Sequence, residues 1–372
     1  MELMKNGLNP AAIQRIARAL NAIKVPGFKQ QAFIQQASAP LEALELKQRV
    51  DHLIDTLHQH LPQNFTKTAP ILKRLPKIWE QGDEDDPLRG FAAWPLIDYV
   101  GRYGLDHPEL GLSTLKSLTP LFSAEFAIRP FLLQHPKLCQ QHFSLWVNDD
   151  CEHVRRLVSE GSRPRLPWGM QLKPYMQDPG DNLPWLSALK DDPSLYVRRS
   201  VANHLNDISK DHPQIVIDLC RSWLEENQPS DEIHWVVRHA TRTLVKQGHP
   251  ESFPLLGYSE SPQLRKPTLT LANRQLILGD SLEFQLTLQS DATATQRMVV
   301  DFALHFMKAN GKTAAKVFKW KSVELKAGEV CHLEKRHGIK AITTRRYYSG
   351  TQVLEVLING VPVAQQEFQL DV

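Results

Sequence analysis

Two different apolar periods predict a HEAT-like α-helical solenoid followed by an immunoglobulin-like β-sandwich. Three observations carry that prediction. Proline-initiated helix starts punctuate the chain to about residue 255; a Val-Arg-Arg motif recurs within that stretch; and beyond a short linker apolar and polar residues alternate one by one. A chain of 372 residues exceeds what one hydrophobic core usually serves, which fits two domains. Their expected limits are 1–257 and 268–372.

The helical half opens at Asn9-Pro10, a cap followed by a proline in the first helical position, before Ala11-Ala12-Ile13 and Ile16-Ala17. Residues Leu41 to Leu57 repeat apolar side chains at three- and four-residue steps. His107-Pro108, His135-Pro136, His212-Pro213 and His249-Pro250 mark further starts. A proline there suits the first turn of a new helix while stopping the previous one. Val154-Arg155-Arg156, Val197-Arg198-Arg199 and Val237-Arg238-His239 lie 43 and 40 residues apart, the period of paired-helix repeats. The spacing predicts the same position within each repeat helix.

After the linker at about 258–267 the period becomes two. Leu282, Phe284, Leu286 and Leu288 alternate with polar residues, as do Val300, Phe302, Leu304 and Phe306. Gly279-Asp280, Asn310-Gly311 and Asn359-Gly360 supply turns, the last a strong hairpin signal. About seven short strands in this length suggest an immunoglobulin-type sandwich without its disulfide.

Composition narrows the class. Apolar content of 42% and charged content of 23% are those of a folded protein, which argues against long disorder. Net charge is only +3, but Lys308 to Arg346 holds 11 Lys/Arg against three Glu, the footprint of a polyanion-binding surface or of a solvated lysine face. Cys139, Cys151, Cys220 and Cys331 form no CxxC or Cys/His array, so neither a zinc site nor a disulfide framework is expected. The opening MELMKNGLNP lacks the apolar core of a secretory signal, and no run of 18 apolar residues occurs. A cytoplasmic protein is expected. Phosphate-binding, dinucleotide and HExxH fingerprints are missing, so no nucleotide cofactor or metal is expected.

The segment HVRRLVSEGSRPRLPW (His153 to Trp168) resembles the core of the AlkC branch of the AlkD-like DNA alkylation-repair glycosylases. So do SLYVRRSVANHLNDISKDHP (Ser194 to Pro213) and HATRTLVKQGHP (His239 to Pro250), while KANGKTAAKVFKWK and ITTRRYYSG are similar to that branch's immunoglobulin-like domain. The resemblance covers nearly everything after about residue 90. It implies a monofunctional base-excision glycosylase that hydrolyses the N-glycosidic bond of cationic bases, chiefly 3-methyladenine and 3-methylcytosine. It also implies double-stranded DNA as the partner, no cofactor, and nucleoid association when DNA is bound. A monomer that clamps DNA is the simpler expectation.

Arg156 and Glu160 stand four apart and share a helix face. A surface ion pair is the ordinary reading of such a pair, whereas the resemblance places both in a DNA-facing cleft. Trp168 ends the proline-stiffened segment Arg163-Pro164-Arg165-Leu166-Pro167 and is matched to a position near the lesion. Asp207 is matched to a catalytic carboxylate that orients water or stabilises a cation, and Glu125 with Phe126 to an acid–aromatic pair. For DNA contact the candidates are Arg155, Arg163, Arg165, Arg198 and Arg199 beside the cleft. In the β-domain they are Lys308, Lys312, Lys316, Lys319, Lys335, Arg336, Arg345, Arg346, Tyr347 and Tyr348, interleaved with Trp320. Competing readings are a non-catalytic repeat scaffold, an architectural binder of bent or damaged DNA, and a lyase using a lysine Schiff base.

Overall fold

The computed structural model describes residues 3–343 and 345–372, so Met1 and Glu2 of the opening segment and Thr344 of ITTRRYYSG lie outside it. One compact unit runs to Asp211 and the second is His212–Val372.

The first unit carries α1 (Pro10–Ala22), α2 (Gln30–Ser38), α3 (Leu46–His60), α4 (Phe65–Leu72), α5 (Trp94–Tyr103) and α6 (Pro108–Leu118). It continues with α7 (Arg129–Gln134), α8 (Pro136–Trp146), α9 (Glu152–Gly161), α10 (Lys173–Gln177), α11 (Leu183–Ala188) and α12 (Leu195–Ile208). Asn9 caps α1 as expected, its Oδ1 accepting from the Ala12 amide at 3.0 Å. The His-Pro pairs at 107 and 135 open α6 and α8. Helices stack on near neighbours, α1 on α2, α3 on α5 and α9 along α12.

The repeat is physical in its first two copies. Val154 and Val197 are each the third residue of their helix and buried. Arg155 reaches back to the carbonyls of Asp149 and Asp150 at 2.8 and 3.0 Å. Arg198 does the same to Asp192 and Pro193 at 2.6 and 3.1 Å. Each arginine therefore closes the turn that precedes its own helix, and Arg155 adds a two-point pair to Asp192.

The third copy departs from the expected position. Val237 is the seventh residue of its helix and Ile233 the third, an offset of about one turn.

The second unit begins with α13 (Pro213–Leu224), α14 (Asp231–Ala240) and α15 (Arg242–Gln247). These helices group with the strands, ahead of the boundary expected from the linker at 258–267. The Asn359 amide donates to the Ser259 carbonyl at 2.8 Å, and Lys319 lies over the Phe253 ring. A Cβ on Gly360 would stand 1.9 Å from the Gly248 carbonyl oxygen, so backbone closeness there requires glycine.

Among the described residues eight strands follow, β1 (Thr268–Leu271), β2 (Gln275–Ile277), β3 (Ser281–Gln289), β4 (Gln296–Met307), β5 (Thr313–Leu325), β6 (Val330–Gly338), β7 (Gly350–Ile358) and β8 (Val361–Asp371). They form a three-stranded sheet, β1-β3-β6, and a five-stranded one, β2-β8-β7-β4-β5. Leu282, Phe284, Leu286 and Leu288 are buried, as alternation requires. In β4 the other face is buried too, through Val299, Asp301 and Ala303. Asn359 and Gly360, at φ 47° and 77°, make the β7–β8 turn, the double positive φ that matches strand twist.

Candidate active site

The residues singled out near position 160 meet in the first unit. Phe91, Trp94, Phe122, Phe126, Leu166, Pro167 and Trp168 wall an open cavity of about 260 Å³, with Glu125, Glu160 and Arg163 as its charged lining. That is just below the usual range of small-ligand pockets, roughly 300–1,000 Å³. Trp94 stacks on Phe126 at 5.2 Å between centroids, and Phe122 meets Phe91 edge-on at 5.3 Å. Opposite chemistry sits beside this wall. Glu125 Oε2 accepts from Arg156 at 2.9 Å and from Ser123 at 2.8 Å.

Glu160 is buried among donors. Its Oε1 receives Arg163 at 2.7 Å and lies 3.6 Å from Arg156, while Oε2 receives the Ser200 hydroxyl at 2.5 Å. Burial is the largest single influence and drives its carboxyl pKa upward. Arg156, Arg163 and the Ser200 hydroxyl together outweigh it, so the pKa falls below the ordinary value. Burial alone would lower both guanidiniums, but Glu160, with Glu125 for Arg156 and Asp207 for Arg163, holds them above their ordinary values. This site is therefore charged, paired and partly dry.

Asp207, matched by resemblance to a water-orienting acid, stands elsewhere. It does not line the cavity. Its Oδ2 accepts from Arg163 and its Oδ1 from Lys210, both at 2.9 Å. In this geometry it touches the cavity's lining through Arg163. Arg156 also lies behind the lining, its guanidinium over the Tyr196 ring at 4.4 Å.

Trp168 is 56% exposed and has φ 64°. A bulky residue in that region stores strain that its surroundings must impose, a pattern that clusters at functional sites. The proline-rich loop thus presents an indole face rather than burying it.

Sequence reasoning missed several participants. Phe91 and Trp94 lie more than 30 residues before Glu125, with no local signal beyond their aromaticity, and Phe122 stands three before it unremarked. Lys47 on α3 holds its ammonium 5.0 Å from the Phe126 centroid and 5.5 Å from that of Trp94. Asp98 accepts the Trp94 indole N–H at 2.7 Å, and burial pushes its pKa up to about 7. An Asp four residues after a Trp on a helix is a weak signal that only packing makes specific.

The proposed DNA-contacting arginines divide by environment. Arg155 and Arg198 are engaged by the turns that precede their helices, and Arg163 is buried between Glu160 and Asp207. Arg165 makes a two-point pair with Asp211, its Nη2 2.7 Å from Oδ1. Arg199 is exposed. In the β-unit Lys308, Lys312, Lys316, Lys319, Arg336 and Arg346 are exposed. Lys319 pairs with Asp301 at 2.9 Å and Arg336 with Glu283 at 3.2 Å. Lys335 and Arg345 are half-buried, Arg345 stacking 4.4 Å over Phe306. Arg346 lies 5.5 Å over Tyr348, and Tyr347 packs edge-on against Phe306.

Among the described residues no helix is long and apolar enough to cross a membrane, and no group of three His, Cys, Asp or Glu is arranged to hold a metal.

Comparison with known proteins gives consistent results. Residues 265–372 match the family model described as the C-terminal Ig-like domain of the uncharacterised protein YhaZ. YhaZ of Bacillus subtilis (strain 168) is 36% identical over 327 residues, 88% of each chain. A solved structure from Pseudomonas fluorescens, alkylpurine DNA glycosylase AlkC bound to DNA containing an abasic site analog, is 38% identical. It covers 100% of both chains with a TM-score of 0.80.

Proposed function

The chain belongs to the AlkC/YhaZ family, and from that premise we propose that it is a DNA glycosylase that removes alkylated bases from double-stranded DNA. The finer reading is excision of cationic 3-methyladenine and 3-methylcytosine by hydrolysis of the N-glycosidic bond. One observation carries it: an aromatic wall and two carboxylates, Glu125 and Glu160, line the same open cavity.

The chemistry suits that lining. An N3-methylated base is positively charged and departs neutral, so its glycosidic bond breaks without a proton donor. The bonding pair leaves with the base, and positive charge develops on the sugar at C1′. Preorganised carboxylates stabilise that charge far better than water does, as they do in glycoside hydrolysis. The lowered pKa of Glu160 keeps it ionised for this role.

Glu125 makes its Arg156 and Ser123 contacts through Oε2, and we assign its Oε1 to the attacking water. That water adds to C1′ and gives its proton to the carboxylate. The faces of Trp94, Phe126 and Trp168 add cation–π attraction of about 0.5–2 kcal/mol to a charged base and none to a neutral one. Selectivity for damage follows from that difference.

Lys47 supports a second reading. Its ammonium stands against the aromatic wall; there, once deprotonated, the amine would displace the base at C1′, the C1′–O4′ bond would open to an imine, and loss of a C2′ proton with expulsion of the 3′-phosphate would nick the strand. Incubation of duplexes containing 3-methylcytosine or 3-methyladenine, without metal or nucleotide, separates the cases. Free base with an intact abasic strand is expected. Strand cleavage together with borohydride-trapped protein–DNA adduct would assign lyase chemistry to Lys47. No base release, with bent duplex still bound at a steep salt dependence, would replace the enzyme by an architectural binder.

A further inference from the structure

We propose that Arg129 is a positioning residue that latches the Trp168 loop at both ends. It opens α7 and is fully buried, at 0% exposure. Its Nη1 donates to the Gly161 carbonyl at 2.8 Å and its Nε to the Met170 carbonyl at 2.7 Å. Those two carbonyls bracket the segment 162–169, which carries Arg163, Arg165, Leu166, Pro167 and Trp168. One rigid guanidinium thus fixes where the loop leaves α9 and where it returns.

Three features make this more than packing. Gly161 ends α9, where helix carbonyls lack intrahelical partners and a cation is favoured. Trp168 at φ 64° needs surroundings that over-determine its strained backbone. Finally, Arg129 Nη2 is buried without a hydrogen-bond partner among the described residues, a costly state for a donor. A planar fork locked onto two carbonyls cannot turn to satisfy its third nitrogen without releasing the loop. The charge also reaches the carboxylates, since Glu125, Asp207 and Glu160 all act on Arg129 electrostatically.

The role deepens the glycosylase reading and its catalytic part rests on it, so the test has one arm that needs no activity. Arg129→Met removes every donor at similar length, and Arg129→Lys keeps the charge but reaches only one carbonyl. Acrylamide quenching of Trp168 is read as the difference between each protein and its Trp168→Phe counterpart. In Arg129→Met the Trp168 signal is expected to become more quenchable. Single-turnover excision of 3-methylcytosine should fall about ten-fold or more, equivalent to about 1.4 kcal/mol, while undamaged-duplex affinity stays within about two-fold. Arg129→Lys should recover part of both losses. In a Trp168→Phe background, Arg129→Met should cost less than about two-fold more.

Unchanged Trp168 quenching, or an equal loss of excision with and without Trp168, would overturn the latch. Should Arg129→Met not fold, quenching in Arg129→Lys decides alone: a wild-type Trp168 signal there rejects the proposal. Should the wild-type protein release no base, the glycosylase reading fails, and the quenching arm still judges the latch.

Discussion

Charge at the site is set residue by residue, by which partner each carboxylate finds. Glu160→Gln removes a negative charge from the cavity's lining and leaves Arg156 and Arg163 less neutralised. Excision is expected to fall by about 10²–10³, the usual effect of deleting one preorganised charge-stabilising group, with single-turnover kinetics as the measure. Asp207→Asn is expected to abolish excision while leaving duplex binding nearly intact, because it removes one of the two carboxylate charges that hold Arg163. Wild-type turnover in that variant would remove Asp207 from the reaction. Asp98 offers a pH test. Its pKa is raised by burial to about 7, so the folded state holds a proton that the unfolded chain has already lost above about pH 4. That contribution is fully present below pH 4 and is lost as pH rises toward and through 7. Thermal melts of Asp98→Asn should therefore decline less between pH 5 and 8 than those of the wild type. By contrast His204, fully buried and lowered to about 3 first by burial, has its Nδ1 at the Ser159 carbonyl and Nε2 at the Asn182 amide. It is a neutral core group, not a base for catalysis.

Among the elements, the α9–α12 repeat explains why two of the expected DNA-contacting arginines face the protein. Arg155 and Arg198 each close the turn before their helix, so the Val-Arg-Arg spacing records a structural joint. Asp192 is the shared piece, accepting from Arg155 through both oxygens and from the Ser194 amide at 2.8 Å. Asp192→Ala would leave a half-buried guanidinium uncompensated, a loss expected to cost about 3 kcal/mol, measured by denaturant unfolding. A cost below about 0.5 kcal/mol would class it with exposed pairs. The joint was visible in the sequence as a repeat; its partner was not, since an acid 37 residues away has no local signature. For the Trp168 loop the sequence supplied stiffness through Pro164 and Pro167. It did not reveal Arg129, whose partners lie 32 and 41 residues downstream.

For the whole molecule, we propose the basic stretch of the β-unit as the counterpart of the DNA backbone. Lys308 and Lys312 flank the β4–β5 turn, and Arg345 and Arg346 precede β7. Replacing these four by Gln should make the slope of log K against log salt shallower by about 0.9 for each phosphate left without its cation, with lesion preference unchanged. An unchanged slope in duplex-binding titrations would assign those residues to solvation.

The sequence by itself determined the elements. His-Pro and Asn-Pro pairs open helices because proline fits a first helical turn. Alternation places Leu282 to Leu288 on one face because strand side chains repeat every two residues, and Asn359-Gly360 makes a hairpin because both tolerate positive φ. These are effects of a few bonds' range. Only the tertiary structure decided which charges meet: that Asp207 stands behind Arg163, that Lys47 and Asp98 belong to the aromatic wall, and that Arg129 spans the Trp168 loop. Those pairings join residues tens of positions apart, and burial, not local preference, fixes whether each group is paired, neutral or free to act.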